Sequence, residues 1–312
     1  MSGRTCRRLG QNMTENRAVS DSKARVSDDC RLQFLSIGHF THDVVGDDLI
    51  LGGAAAYSSS TAKKLGLRVG VVTAVGSDFL HYDKLSGISI VAINSNSDKA
   101  NHPTTTFQNL YENGVRKQFI RGVAAKICAE HIPEDWCNAN IVYLCPVANE
   151  IEPSVIGKIP NSVIGASPQG WMRRWDSDGS VYAQRWEDAK DILPHIDVLV
   201  MSEEDIAPFP DVIDEYAVLA KMTVLTKGAH GSRLFYEGKV TDFPAFRVKV
   251  FDPTGAGDVF ATAFLYKYSQ TKDPHEASRF ANCAASFIVE KEGTTGIPKL
   301  QQINERLKLY SS

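Results

Sequence analysis

Residues 251–260 read FDPTGAGDVF and set two carboxylates, Asp252 and Asp258, on either side of a Thr-Gly-Ala-Gly turn. The run that follows, VFATAFLYKYSQ, carries apolar residues on every face of a helix, so the turn opens a helix buried in the core. The first N–H groups of such a helix have no partner within it, and the aligned peptide dipoles place positive potential there. Gly255, Ala256 and Gly257 have almost no side chain to cover those donors, which makes the turn a ready anion site. Asp258, in the first helical turn, admits two readings. It is a charge partner of the helix dipole, or it is a base aimed at the atom that attacks the bound anion. A glycine turn before a helix is common, and the turn alone leaves both readings open.

The elements that must hold this turn are those of a parallel sheet. Residues 32–38 (LQFLSIG) form an apolar run with a glycine stop, as expected of a buried strand. Residues 39–50 (HFTHDVVGDDLI) read as a loop or short edge segment. Gly52-Gly53 then open an Ala-rich helix that ends at Gly66, and RVGVVTAVG follows as a second strand. IVYLCP, SVIGAS, DVLVMS and MTVLTKG read as further buried strands, with segments of roughly helical length between most of them. A second C-terminal helix begins at Asp273-Pro274 and stops at Gly293. Alternation of strand, glycine turn and helix predicts an α/β fold with a mainly parallel sheet covered by helices. One stretch breaks the alternation. TTTFQNLYENGVRKQFIRG, residues 104–122, has two β-rich arms around Asn113-Gly114, a strong hairpin signal because a type I′ turn needs positive φ at both central residues. Such a hairpin is a lid over a ligand or a surface flap.

The bulk numbers exclude several classes. Of 312 residues, 43% are hydrophobic and 23% charged, which suits a large globular core. A formal net charge of −3 gives no electrostatic case for nucleic acid or a membrane surface. No run approaches the roughly 18 apolar residues of a membrane span. The six cysteines form no CxxC and no Cys/His cluster at metal spacing, and are read as reduced thiols of a cytoplasmic protein. Residues 1–30 are polar and poor in apolar residues, and are read as a disordered tail ahead of one domain over 31–312. Arg4, Arg7 and Arg8 keep organelle targeting by that tail as the alternative.

Taken whole, DPTGAGDVFATAFL resembles the C-terminal signature of the PfkB, or ribokinase-like, carbohydrate kinases; only Thr262 is larger than the pattern expects. LGGAAAYSSSTAKKLGLRVGVVTAVGSD, residues 51–78, resembles the N-terminal signature, and the likeness covers nearly the whole chain after residue 32. The resemblance implies a three-layer α/β/α sandwich with a small, reduced β lid. It implies ATP-dependent phosphorylation of a hydroxyl on a sugar or polyol, with Mg2+ and, as in some members, a monovalent cation such as K+. By position, Asp258 is the implied general base and the amides of Gly255, Ala256 and Gly257 the anion hole. Asp43, Gly52 and Gly53 match positions that contact substrate hydroxyls, and Tyr57 stands where ribokinases place a sugar-contacting Asn. Thr226, Lys227, Gly228 and Gly231 in TKGAHGS match the nucleotide loop, while Asn282 and EGTTGIP match the region around adenine and the cation.

The chain departs from the pattern in three places. An Asn-x-x-Glu motif that organises Mg2+ through water is replaced by SEED, which leaves Asp205 or Glu204 for the role, or else a simple helix cap at Ser202 with acidic residues in the first turn. Only VVGDDLIL separates Asp43 from Gly52, so the lid is expected to rest mainly on the hairpin of residues 104–122, and a monomer or weak dimer follows. Tyr57 argues against ribose. GHFTHD, GGAAAYSS and SPQGWMRRWD, with Gln169, Gly170 and Arg173, are closest to the inositol 3-kinase-like branch, making an inositol-like cyclitol the first substrate reading. In that motif Arg173 or Arg174 is a phosphate partner, or Trp171 and Trp175 make it a packing unit. Fructose-like sugars and nucleosides are the alternatives within the family. A catalytically silent binding or scaffold protein is the alternative from another class.

Overall fold

The computed structural model describes residues 31–94, 102–112 and 115–310. The chain begins with β1 (Phe34–Ile37), crosses into β2 (Thr41–Val45) and β3 (Asp48–Gly52), and continues through α1 (Ala54–Lys64) to β4 (Val69–Val75) and β5 (Ser89–Asn94). Next come β6 (Thr105–Glu112), β7 (Val115–Gly122), β8 (Ile141–Leu144), β9 (Val163–Ala166) and the short pair β10 (Arg173–Trp175) and β11 (Val181–Ala183). The one-turn helix α2 (Ala189–Ile192), β12 (Val198–Ser202), α3 (Glu203–Ile206), α4 (Val212–Leu219) and β13 (Met222–Thr226) follow. The hairpin β14 (Ser232–Tyr236) and β15 (Lys239–Phe243) leads to three C-terminal helices, α5 (Ala256–Thr271), α6 (Pro274–Ile288) and α7 (Leu300–Leu309).

The main sheet has nine strands in the order β15-β14-β13-β12-β9-β8-β1-β4-β5. All neighbours from β13 to β5 run parallel; β14 and β15 close one edge antiparallel. Strands buried on both faces send alternate residues into two cores. Phe34, Val71, Tyr143 and Val200 meet Ala55, Phe264, Phe280 and Ile303 on the α1, α5, α6 and α7 side. Leu35, Val72, Val142 and Leu199 meet Ile192, Val212 and Tyr216 on the other. This is the expected three-layer sandwich. Ser36 and Ser58 share a hydrogen bond of 2.8 Å between β1 and α1, possible because the helix presents small residues to the sheet.

The lid differs from the expectation in one respect. Residues read as loop or edge segment pair as β2 and β3, and β2 runs parallel to β6, giving a four-stranded sheet β3-β2-β6-β7. The turn at Gly46 has φ of 61°, and the apolar residues beside it are exposed, so local hydrophobicity gave no sign of a hairpin. The arms of the Asn-Gly hairpin pair as read, with Glu112 opposite Val115; the turn itself lies outside the described residues, as does the tail of residues 1–30. Where the lid leaves the main sheet, polar groups fix its root. Buried Glu150 accepts the backbone N–H groups of His39, Val147 and Ala148 at 2.7–3.0 Å. The His39 ring donates through Nε2 to the Ala125 carbonyl and accepts from Thr105 through Nδ1, both at 2.8 Å. Burial lowers the pKa of His39, which favours this neutral, single tautomer.

Further differences are local. The second C-terminal helix ends at Ile288, before Gly293, and α7 follows it unannounced. β5 and the β14–β15 pair also escaped the sequence reading; β14 and β15 turn at Glu237-Gly238, both with positive φ. Among the described residues no helix is long and apolar enough to cross a membrane.

Candidate active site

α5 begins at the carboxyl-terminal side of the parallel strands, where open α/β sheets bind ligands. Its N-cap is Gly255, with φ of 75°. Glycine is required there twice over: a side chain in that conformation is strained, and a Cβ would lie 2.2 Å from the Tyr57 ring. The expected trio of amides is not uniform. The Ala256 N–H is engaged by the Pro253 carbonyl at 3.2 Å, and Val259 closes the first helical bond to Gly255 at 3.0 Å. The N–H groups of Gly255, Gly257 and Asp258 donate to no group among the described residues, and these are the open donors.

The two aspartates of the loop are pushed in opposite directions. Asp252 accepts from the Thr254 N–H at 2.9 Å and the Gly293 N–H at 3.0 Å, tying the turn to the loop after α6. Burial would raise its pKa, yet these bonds outweigh burial and hold it below the usual range. Asp258 is pushed up to about 7, first by burial and then by the negative field of Asp205. A hydrogen bond from the Tyr143 hydroxyl at 3.4 Å and the positive field of Arg173 oppose the rise. A carboxylate poised near neutrality suits general-base work.

The predicted acceptor residues converge on the same place. Gly52 sits opposite Thr41 at the root of the lid, where a Cβ would be 2.2 Å from the Asp43 carboxylate. Gly53, with φ of 90°, lets α1 start within 2.5 Å (Cβ position) of the His39 carbonyl. Tyr57 on α1 is buried, and its phenol is held far above its ordinary pKa by burial and then by Asp43, Asp252 and Asp258. That field places it among the lid-side carboxylate and both loop aspartates. Asp43 is cross-strand from Phe107, whose ring carries the Arg173 guanidinium 5.4 Å from its centroid. Arg173 also donates to the Val147 carbonyl at 3.2 Å. Arg174 points elsewhere, over exposed Tyr182. Trp171 stacks on Trp186 at 4.4 Å, so the packing reading of this motif holds for the tryptophan while Arg173 belongs to the site.

The nucleotide-side residues are found more committed to the fold than the sequence suggested. Gly231, with φ of 88°, would place a Cβ 2.0 Å from the Phe243 carbonyl, and the Lys227 N–H closes the turn on the Gly231 carbonyl at 2.7 Å. The Thr226 hydroxyl donates to the Met201 carbonyl at 3.3 Å, and Gly228 has φ of 52°. Lys227 pairs with Asp242 at 2.9 Å, a carboxylate shared with Arg233. Asn282 is buried and donates to Ser232 at 2.9 Å and to the Phe243 carbonyl at 3.4 Å, stitching α6 to the β14–β15 edge.

On the acidic side, SEED forms the helix cap that was one of its two readings. Ser202 caps α3 through its hydroxyl, and Asp205 returns the bond to the Ser202 N–H at 2.9 Å. The other Asp205 oxygen accepts from Gln169 at 3.3 Å, and its charge reaches Asp258. Glu204 is exposed. Among the described residues no three His, Cys, Asp or Glu side chains are spaced to chelate a metal directly. Sequence reasoning missed Tyr143. Its only signal was one hydroxyl in an otherwise apolar buried strand, which must find a partner.

The pfkB family carbohydrate kinase pattern matches residues 42–300. The chain is 28% identical to the cytidine kinase of Thermococcus kodakarensis over 85% of this chain and 99% of that protein. It is 26% identical to the inositol 3-kinase of Arabidopsis thaliana over 83% of this chain and 74% of that one. Its fold is similar to the crystal structure of ribokinase from Thermotoga maritima, with a TM-score of 0.68 and 23% identity, over 89% of this chain and 99% of that one. With a match spanning most of the domain, including the α5 turn and the lid root, the chain belongs to the pfkB family of carbohydrate kinases and is an ATP-dependent phosphotransferase acting on an alcohol group.

Proposed function

We propose that this kinase phosphorylates one hydroxyl of a small acceptor bearing a vicinal diol, an inositol-like cyclitol first, with Asp258 as general base. The observation that carries the reading is a carboxyl raised to about 7 beside open helix amides, in the electrostatic cluster that Tyr57 shares with Asp43. Asp43 accepts two neighbouring hydroxyls, which orients the acceptor. Asp258 takes the proton of the reacting hydroxyl as its oxygen bonds to the γ-phosphorus and the bond to ADP breaks. The amides of Gly255 and Gly257 hold the charge of the phosphoryl group in transfer, with Ala256 shaping the turn.

Thr226, Gly228 and Gly231 border the phosphates and base of ATP in this reading, and Lys227 reaches a phosphate by exchanging Asp242 for it. Asn282 supports that wall from behind. Mg2+ fits only through water and phosphate oxygens, since the oxygens of Asp205 are already hydrogen-bonded and this ion keeps several waters. Bound there it would neutralise phosphate charge, with Asp205 rather than Glu204 facing it. The loop of residues 292–298 is the place for a monovalent cation such as K+.

A nucleoside acceptor is the second reading. It is favoured by the likeness to the cytidine kinase over that protein's whole length and by Phe107, an aromatic ring on the lid beside Arg173. ADP release measured with myo-inositol, other cyclitols, fructose-like sugars and nucleosides, with and without K+, separates the two. Turnover on cyclitols but not nucleosides supports the first reading. No acceptor-stimulated turnover above an Asp258→Asn control sinks both.

A further inference from the structure

β8 carries Tyr143, wholly enclosed between β1 and β9, where its strand neighbours are Ser36 and Gly165. At Gly165 α5 packs directly on the sheet: a Cβ there would lie 2.4 Å from Leu265. That docking brings the first turn of α5 down to β8, and the Tyr143 hydroxyl ends 3.4 Å from Asp258 Oδ1. It is the one side-chain hydrogen bond of Asp258 among the described residues. The Ser167 hydroxyl, one residue past β9, acts on the phenol as a donor and opposes part of the rise in its pKa.

Resting on the reading of Asp258 as base, we infer that Tyr143 is its positioning residue: the phenol donates to Oδ1 and leaves Oδ2 as the oxygen that receives the acceptor's proton. The direction of the bond is fixed by chemistry. Burial, and then the charge of Asp258, hold the phenol proton firmly in place, so Tyr143 donates and does not itself become a base. A carboxylate with one oxygen occupied has one reactive oxygen and one orientation. The 3.4 Å separation is long for such a bond, as is common before substrates tighten a site.

The test is a carbon-13 carboxyl NMR titration of aspartate-labelled protein without substrates, with Asp258→Asn used to assign the Asp258 signal. In Tyr143→Phe the Asp258 midpoint should move up by about one pH unit, the worth of one lost hydrogen bond to a carboxylate. Ser167→Ala should move it the same way by less, and serves as the second variant should Tyr143→Phe fold poorly. In the ADP-release assay with the best acceptor of the panel, Tyr143→Phe should lower kcat about 10- to 100-fold with both KM values within about twofold. An Asp258 midpoint unchanged in both variants overturns the inference and leaves the base reading intact. A fully active Asp258→Asn overturns the base reading and this inference with it. A lower melting temperature with unmoved midpoint and kcat would make Tyr143 packing only, and overturns it too.

Discussion

Asp258→Asn should do two opposite things: stop the reaction and stabilise the protein. The folded carboxyl is raised from 3.8 to about 7. A raised acid contributes stability that is present below its unfolded pKa and is lost as pH climbs through the folded value. The window is therefore between about pH 4 and pH 7. Three units at about 1.4 kcal/mol each give roughly 4 kcal/mol, and solvent at the partly exposed rim of the site leaves about 3 kcal/mol. Asparagine has a nearly equal shape, still accepts from Tyr143, and carries no charge to desolvate. Melting curves of both proteins at about pH 5.5 and about pH 8.5 test this. At the higher pH the variant should melt roughly 6–12 °C above the parent, at about 2–4 °C per kcal/mol for a domain of this size. At the lower pH, about midway through the window, the gain should be roughly half as large. ADP release should fall by about 1,000-fold or more, the range of a lost general base. An Asn variant that melts below the parent at the higher pH, or by the same margin at both, would refute the claim that burial strains this carboxylate.

Three other changes probe the rest of the site. Gly255→Ala should cost about 2–4 kcal/mol, from the left-handed backbone and the overlap with Tyr57, and a Tyr57→Ala partner should recover part of it in chemical denaturation. Asp205→Ala should raise the Mg2+ concentration needed for half-maximal turnover and move the acid limb of kcat/KM downward from about pH 7, because its field holds Asp258 up; Glu204→Ala should do neither. Asp43→Asn should raise acceptor KM by about 10- to 100-fold while KM for ATP stays within about twofold, since one lost charge-assisted bond is worth roughly 1.5–3 kcal/mol.

Much of this protein was legible in the chain itself, and the reason is local. Glycines at 255 and 257, the apolar run after them and the small residues of α1 dictate a helix start with bare amides whatever surrounds them. The strands β1, β4, β8, β9, β12 and β13 announce themselves because strands buried on both faces are apolar throughout. The lid strands β2 and β3 did not, because their outer residues face solvent and their pairing with β6 is a long-range choice. Sequence spacing likewise could not rank Asp252 against Asp258. Six residues apart, they differ only in surroundings: Asp252 gains two backbone donors from the turn and the α6 loop, while Asp258 gains burial, the charge of Asp205 and the hydroxyl of Tyr143. Apart from the Thr254 N–H, those partners come from strands and loops between 41 and 115 residues away, and only the folded sheet brings them within reach. The chain alone therefore specifies the helix and its glycine turn, while the fold selects which of the amides stay open. The opposite pKa shifts of the two carboxylates belong to the fold, because a pKa is set by what surrounds a group, and most of those surroundings come from distant parts of the chain.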